Sequence, residues 1–265
     1  MNIGQNQLIY IYCVTREHPV IGSSWHEDGI LCFEVNSLYV TLKFVSEDEY
    51  SETNVKKNIS NESWLDINVR KHLKVICDIM QTNTVIPFNF GTIYKSEDNL
   101  RDFLSTYSAD FIDVLRHLAN KEEWSVKVFC DKDKIIENIS LFSQNVSDIE
   151  LQIKSSTPGK AYILKKKKQD ILEKEINCIY NNISKRVFTR LNELPDEYCL
   201  HSILPVELSE KNIDMIVNAT FLIKIEQTDN FLKLADNLIA EHENIGLLME
   251  ITGPWPPYSF INLST

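Results

Sequence analysis

Thr157-Pro158-Gly159 opens a run in which Leu172, Ile176, Ile179, Ile183, Val187, Leu191 and Leu194 recur every three or four residues. That is the spacing of one face of an α-helix. Thr157 stands as its N-cap, and Pro158 takes the first helical position, where a missing N–H is no loss. A helix continuous to Leu194 would be roughly 50 Å long at about 1.5 Å per residue. No single small sheet covers a helix of that length, so it is expected to bridge two domains or to project. The 265 residues therefore read as two α+β domains linked by a long helix. Residues 1–134 form the N-terminal domain, 135–195 a helical connector, and 196–265 a smaller C-terminal α+β domain with a Pro/aromatic tail.

In the first part, Leu8 to Val14 is a β-branched and aromatic run expected as a buried strand. Ile30 to Val35 and Leu38 to Val45 read as a hairpin around Asn36-Ser37, and the polar stretch Ser46 to Asn61 as a loop with one helical turn. Trp64 to Gln81 carries a helical stripe of Leu65, Val69, Leu73, Ile76, Cys77 and Met80. Val85 to Tyr94 reads as a strand on which Ile86, Phe88 and Phe90 share a face, with Pro87 favouring an edge or bulge. Ser96 caps one helix whose stripe runs from Leu100 to Leu118, and Trp124 to Asp131 follows as a strand. The order strand, hairpin, helix, strand, helix, strand resembles an elaborated ferredoxin-like sheet with helices on one face. In the last part, strands are expected at Tyr198 to Leu204, Ile213 to Glu226 and Ile245 to Thr252, a helix at Asp229 to His242, and an extended tail from Gly253.

Charge and composition narrow the functions. Lys plus Arg is 27 against 38 for Asp plus Glu, a formal charge of −11, which argues against a broad footprint for nucleic acid or a lipid membrane. With 7 glycines and neither GxGxxG nor a Walker motif, a phosphate cradle is not expected. No apolar run approaches the roughly 18–20 residues that span a bilayer, and Met1 to Asn6 does not read as a signal peptide. Six scattered cysteines without a CxxC read as reduced thiols. A cytoplasmic protein is expected.

Chemistry-bearing patterns are sparse. Cys199 and His201 would point to the same side of a strand and could form a nucleophile pair, but no third partner is evident, so a packed Cys beside a satisfied His is the preferred reading. His18 and His26 lie near Glu27 and Asp28 without a compact ligand set for zinc. His72, beside Leu73, reads as a core or boundary histidine. Lys165, Lys166, Lys167 and Lys168 spread around a helical turn, as a solvated segment, a dock for an acidic partner or, in the alternative of a nucleic-acid-binding module, a contact to nucleic acid, against which stands the lack of an aromatic stacking platform around them. The tail through Trp255, Pro257 and Tyr258 either folds over its own sheet or serves as a stiff ligand for another protein. No catalytic, metal or cofactor-binding residue is assigned.

Four ordered segments resemble the gas vesicle protein F/L (GvpF/GvpL) family: Val85 to Tyr94 (VIPFNFGTIY), Glu123 to Val128 (EWSVKV), Thr157 to Leu164 (TPGKAYIL) and Thr252 to Phe260 (TGPWPPYSF). Tyr10-Ile11-Tyr12, Glu49-Tyr50 and His72 fit weaker family positions. Asn89 departs from the Arg that the family often carries, and Ile30-Leu31-Cys32 from an Ala-rich segment. The resemblance implies two α+β domains, the first of modified ferredoxin type. It further implies a gas vesicle-associated accessory or minor structural protein that contacts the hydrophobic shell protein and other accessory proteins, without catalysis or cofactor. An acidic, soluble partner could cover the apolar surface of an unassembled shell subunit. The expected contacts are grooves beside the long helix, or the strand edge at Phe88 and Phe90; the alternative is that these aromatics and Trp255 are internal core.

Overall fold

Strand β1 (Gln7–Thr15) is buried at every residue from Leu8 to Thr15, which is why its sequence is a continuous β-branched and aromatic run rather than an alternating one. The computed structural model describes residues 6–20, 25, 28–203 and 213–261. They fall into two compact units, Met1–Glu122 with Pro254–Thr265, and Glu123–Gly253.

In the first unit β1 pairs with β3 (Leu38–Ser46), β4 (Val85–Pro87) and β5 (Ile93–Tyr94), and β3 pairs with β2 (Ile30–Val35), all antiparallel. The order is β2-β3-β1-β4, with β5 also on β1. The β2–β3 hairpin closes at Val35 opposite Leu38. Asn36 and Ser37 both have positive φ, 51° and 62°, as a two-residue type I′ turn requires.

The stretch after β3 is more helical than the single turn expected within a loop. It forms α1 (Glu47–Tyr50) and α2 (Glu52–Asn58), neither with a buried residue, so no apolar stripe announces them. Ser46 Oγ accepts the Asp48 N–H, and acidic residues fill the first turn of α1, both stabilising at a helix N-terminus. Helix α3 (Glu62–Met80) buries His72, Val75, Ile76 and Ile79, a face turned slightly from the one its spacing suggests.

The single strand expected over Val85 to Tyr94 is broken after Pro87, which has no N–H for a continuing ladder. Thr92 N–H donates back to Asn89 O at 3.1 Å, and Phe88 N–H to Tyr12 O at 2.9 Å. Phe88 and Phe90 consequently do not share surroundings. Phe88 lies 6.3 Å from both Phe103 and Phe111, ring to ring, whereas Phe90 faces Tyr10, Trp64 and His72. The next helix is also divided, into α4 (Glu97–Thr106) and α5 (Ser108–Leu118), by a bend at Tyr107. Ser96 Oγ accepts the Asn99 N–H at 3.2 Å as its sequence suggests.

The second unit holds the sheet β7-β8-β6-β9, with β6 (Lys121–Asp131), β7 (Glu197–Leu200), β8 (Ile213–Lys224) and β9 (Leu247–Trp255). Strand β6 was expected to complete the first sheet. Instead it is an inner strand of the second, where Val126, Val128 and Cys130 are fully buried with Phe221, Phe231 and Leu238. Its inward-facing apolar residues require cover on that side, and this core supplies it. The unit boundary accordingly falls at residue 123, not 134.

Helices α6 (Lys132–Phe142), α7 (Gln144–Lys154), α8 (Pro158–Leu191) and α9 (Thr228–Glu241) complete the unit. The 34-residue α8 is about 51 Å long. It is part of the second unit rather than a link between two: Ile176, Val187 and Leu191 enter that core. It stops at Leu191, three residues short of the expected end, and Thr157 makes no side-chain capping bond. Helices α7 and α8 form a hairpin joined by Lys168 Nζ to Glu150 Oε1 (2.6 Å) and Asn145 Nδ2 to Glu175 Oε1 (2.7 Å).

Strand β7 ends at Leu200, before the expected Leu204, which lies outside the described residues. Strand β8 ends at Lys224, and Ile225 is exposed in a 3₁₀ turn. Strand β9 begins at Leu247, after a turn closed by left-handed Gly246 (φ 63°). The tail is extended only to Trp255; Pro256 and Pro257 are buried, and Tyr258–Phe260 forms a 3₁₀ turn. Among the described residues no helix is long and apolar enough to cross a membrane.

Candidate functional site

A β-bulge organises the most distinctive site, which lies within the first unit. Ile11 pairs with Leu42 and Cys13 with Thr41, so Tyr12 has no residue opposite on β3. A bulge re-aims the side chain it carries, and Tyr10 and Tyr12 come to lie with ring centroids 5.0 Å apart. Both line a cavity of about 320 Å³.

His72, from the buried face of α3, forms its floor. Nε2 lies 3.0 Å from Phe88 O, and Nδ1 lies 2.8 Å from Tyr10 Oη. A carbonyl only accepts, so the bond to Phe88 O assigns the proton to Nε2, and Tyr10 O–H donates to Nδ1. Tyr258 Oη donates to the same Phe88 carbonyl at 3.2 Å and sits 3.3 Å from Nε2. Gly91 N–H donates to Tyr10 Oη at 3.3 Å; Gly91 has φ +83°, a conformation glycine adopts without penalty.

Burial sets the charge states. Desolvation lowers the His72 pKa to about 4, opposed by its bond to Phe88 O. It pushes Tyr12 up to about 12 and raises Tyr10 and Tyr258 as well. At neutral pH these four groups are uncharged, and both His72 nitrogens are engaged, so this histidine ties elements together rather than standing ready as a base. Tyr12 stacks on His72 at 5.5 Å, and Phe90 meets Tyr10 and His72 edge-on. At the mouth, Trp64 Nε1–H donates to Glu49 Oε1 (2.8 Å) and Tyr50 Oη to Asn68 Oδ1 (3.3 Å), with Lys43 and Lys71 beside them.

Of the residues singled out by sequence, this site unites Tyr10, Tyr12, Glu49, Tyr50, His72 and Phe90 and, through Phe88 O, Tyr258. Pro257 is buried beside it in the chain and Trp255 is 40% exposed. Lys165, Lys166 and Lys167 are exposed on α8, and Lys168 pairs with Glu150. Cys199 and His201 do not form a couple: His201 Nε2 lies 3.1 Å from Thr220 Oγ1, and Cys199 Sγ lies 3.9 Å from Leu200 O. His18 Nδ1 bonds Pro19 O, while His26 and Glu27 lie outside the described residues. No group of three or more His, Cys, Asp and Glu among the described residues could hold a metal ion. The sequence reading missed Lys43, Lys71 and Asn68; the only advance signal was the Tyr-x-Tyr pair followed by a histidine on an apolar helix face.

This two-sheet α+β architecture is shared along nearly the whole chain with solved gas vesicle proteins. The crystal structure of GvpF from Anabaena sp. superposes with a TM-score of 0.67 at 19% identity, covering 98% of each chain. That of GvpF from Microcystis aeruginosa gives 0.64 at 16% identity, over 97% of this chain and 99% of that one. Residues 8–262 match the gas vesicle synthesis protein GvpL/GvpF family, and the chain belongs to that family. Gas vesicle protein L of a Streptomyces species is 21% identical over 98% of this chain and 94% of its own length. Gas vesicle protein F of a Nostoc species is 24% identical over 81% of this chain and 84% of its own length.

Proposed function

We propose that this chain is an accessory or minor structural protein of gas vesicle assembly. It binds the hydrophobic shell protein and other vesicle accessory proteins in the cytoplasm during nucleation, and turns over no substrate. The match to the GvpL/GvpF family across residues 8–262 carries this reading. The chain's charge of −11 suits a partner that keeps apolar subunits dispersed. In the same reading the first unit is a modified ferredoxin type.

The proposed contacts are not equally available. Trp255 and Lys165 to Lys167 are exposed, whereas Pro257 is buried and Phe88, Phe90 and Tyr258 are half-buried. Trp255 and the lysines therefore make direct contacts, and the other four hold the adjoining surface in place. Co-purification with tagged shell protein tests this. Trp255→Ala is expected to lower recovery, and Phe88→Ser to do so only by loosening the first unit. Full recovery with a folded Trp255→Ala variant and a folded Lys165→Glu/Lys166→Glu variant would remove both surfaces from the account.

A further inference from the structure

Tyr12 is only 8% exposed and lines the cavity, yet its hydroxyl forms no hydrogen bond among the described residues. The one sealed side-chain polar atom without a partner among them is Thr41 Oγ1, so the Tyr12 hydroxyl is not closed off in the core, and its side chain is part of the cavity wall. A largely buried hydroxyl left open in this way needs a bond from water or from a guest. Lys43 and Lys71 also border the cavity, and neither forms an ion pair among the described residues. Two unpaired cations converging on one mouth run against the charge of a chain at −11. Glu49, the acid that shares this mouth, already accepts the Trp64 N–H.

We propose that the cavity of the first unit binds a small organic anion built on a planar ring. The ring lies against Tyr10, Tyr12 and Phe90, its acidic group faces Lys43 and Lys71, and an acceptor atom takes the Tyr12 O–H. The wall chemistry selects against other guests. A cationic guest would be drawn to the aromatic faces but repelled by both lysines. An inorganic anion would meet the lysines and leave the aromatic walls uncovered. A volume of about 320 Å³ is at the small end of ligand cavities, which span about 300–1,000 Å³, so a free small molecule fits better than a folded segment. His72 keeps the walls fixed, because both its nitrogens are bound and it stays neutral. The inference is independent of the vesicle role, since it concerns binding by the isolated chain.

The test titrates the intact protein with phenyl phosphate, benzyl alcohol, benzamidine and inorganic phosphate, followed by ligand-observed NMR and calorimetry. Phenyl phosphate is expected to saturate with a Kd below about 1 mM, and the other three to bind at least about tenfold more weakly. Lys71→Glu, an exposed position, is expected to raise the phenyl phosphate Kd about tenfold or more with an unchanged circular dichroism spectrum. Tyr12→Phe is expected to raise it by a smaller factor. Should Lys71→Glu perturb folding, Lys43→Gln provides the same reading. Equal affinity for benzamidine, saturation by no probe, or indifference to both lysine substitutions would overturn the proposal.

Discussion

His72 and Tyr258 stand 186 residues apart in the chain and meet over one carbonyl: Nε2 of the first and Oη of the second both bond Phe88 O, and lie 3.3 Å from each other. This convergence joins α3, the segment after β4 and the tail, and gives the first unit a pH-sensitive joint.

Acid is expected to weaken that joint. In the fold burial lowers the His72 pKa to about 4, against 6.5 for a solvated imidazole. The unfolded chain therefore takes up a proton first as pH falls through this window. The contribution of neutral His72 is complete above about pH 6.5 and is lost as pH falls toward about 4, amounting to about 3 kcal/mol. Urea melts followed by circular dichroism at stepped pH check this: the slope of stability against pH between these values should flatten in His72→Gln. An unchanged slope would show that other groups govern acid sensitivity.

Removing one hydroxyl should free the tail. Tyr258→Phe deletes the donor to Phe88 O while keeping the ring, and is expected to cost about 1 kcal/mol. Faster proteolytic nicking near residue 254 than in the parent chain would report the loosening directly.

Gly246 is expected to tolerate no side chain. Its φ is +63°, and an added Cβ would lie 2.5 Å from Asp131 Cβ and 2.8 Å from Lys134 Cδ. Gly246→Ala should destabilise the second unit by about 2 kcal/mol or more, from the left-handed backbone and the overpacking together. A chemical denaturation midpoint unchanged from the parent would contradict this geometry.

The long helix α8 should be stable at one end and weak at the other. Before Ile171 it contributes no residue to the second core, and Tyr162 and Ile163 are 75% and 68% exposed. Hydrogen exchange is expected to be fast over residues 162–170 and slow over 176–191. Ile176→Ala should cost about 2–4 kcal/mol, whereas Lys168→Ala, in a half-exposed ion pair with Glu150, should cost less than about 1 kcal/mol.

Cys199→Ser is expected to leave vesicle formation intact. His201 is occupied with Thr220 rather than with the thiol, and flotation of a complemented deletion strain measures the outcome.

Local signals carried some elements well. The Asn36-Ser37 hairpin, the Ser96 cap and the stripe of α8 each rest on interactions within a few residues, so spacing and turn chemistry suffice to read them. Partnership between distant strands is different. The alternation Val126, Val128, Cys130 states that β6 has a buried face, but not which sheet covers it, and the chain order pointed to the nearer one. The cavity was illegible for a related reason. Tyr12 reaches it through a bulge that interrupts the period of β1, while Lys43 and Lys71 arrive from β3 and α3 as ordinary surface lysines whose convergence depends on long-range pairing.

The first unit takes residues from both sides of the second: it runs to Glu122 and is completed by 254 onward. All five strands of the first sheet lie before residue 95, but the carbonyl at their aromatic floor, Phe88 O, gains its second donor only from Tyr258. Synthesis in chain order therefore leaves Phe88 O without its Tyr258 partner through the translation of more than a hundred codons, and the aromatic floor is the part of the first unit that must wait for them.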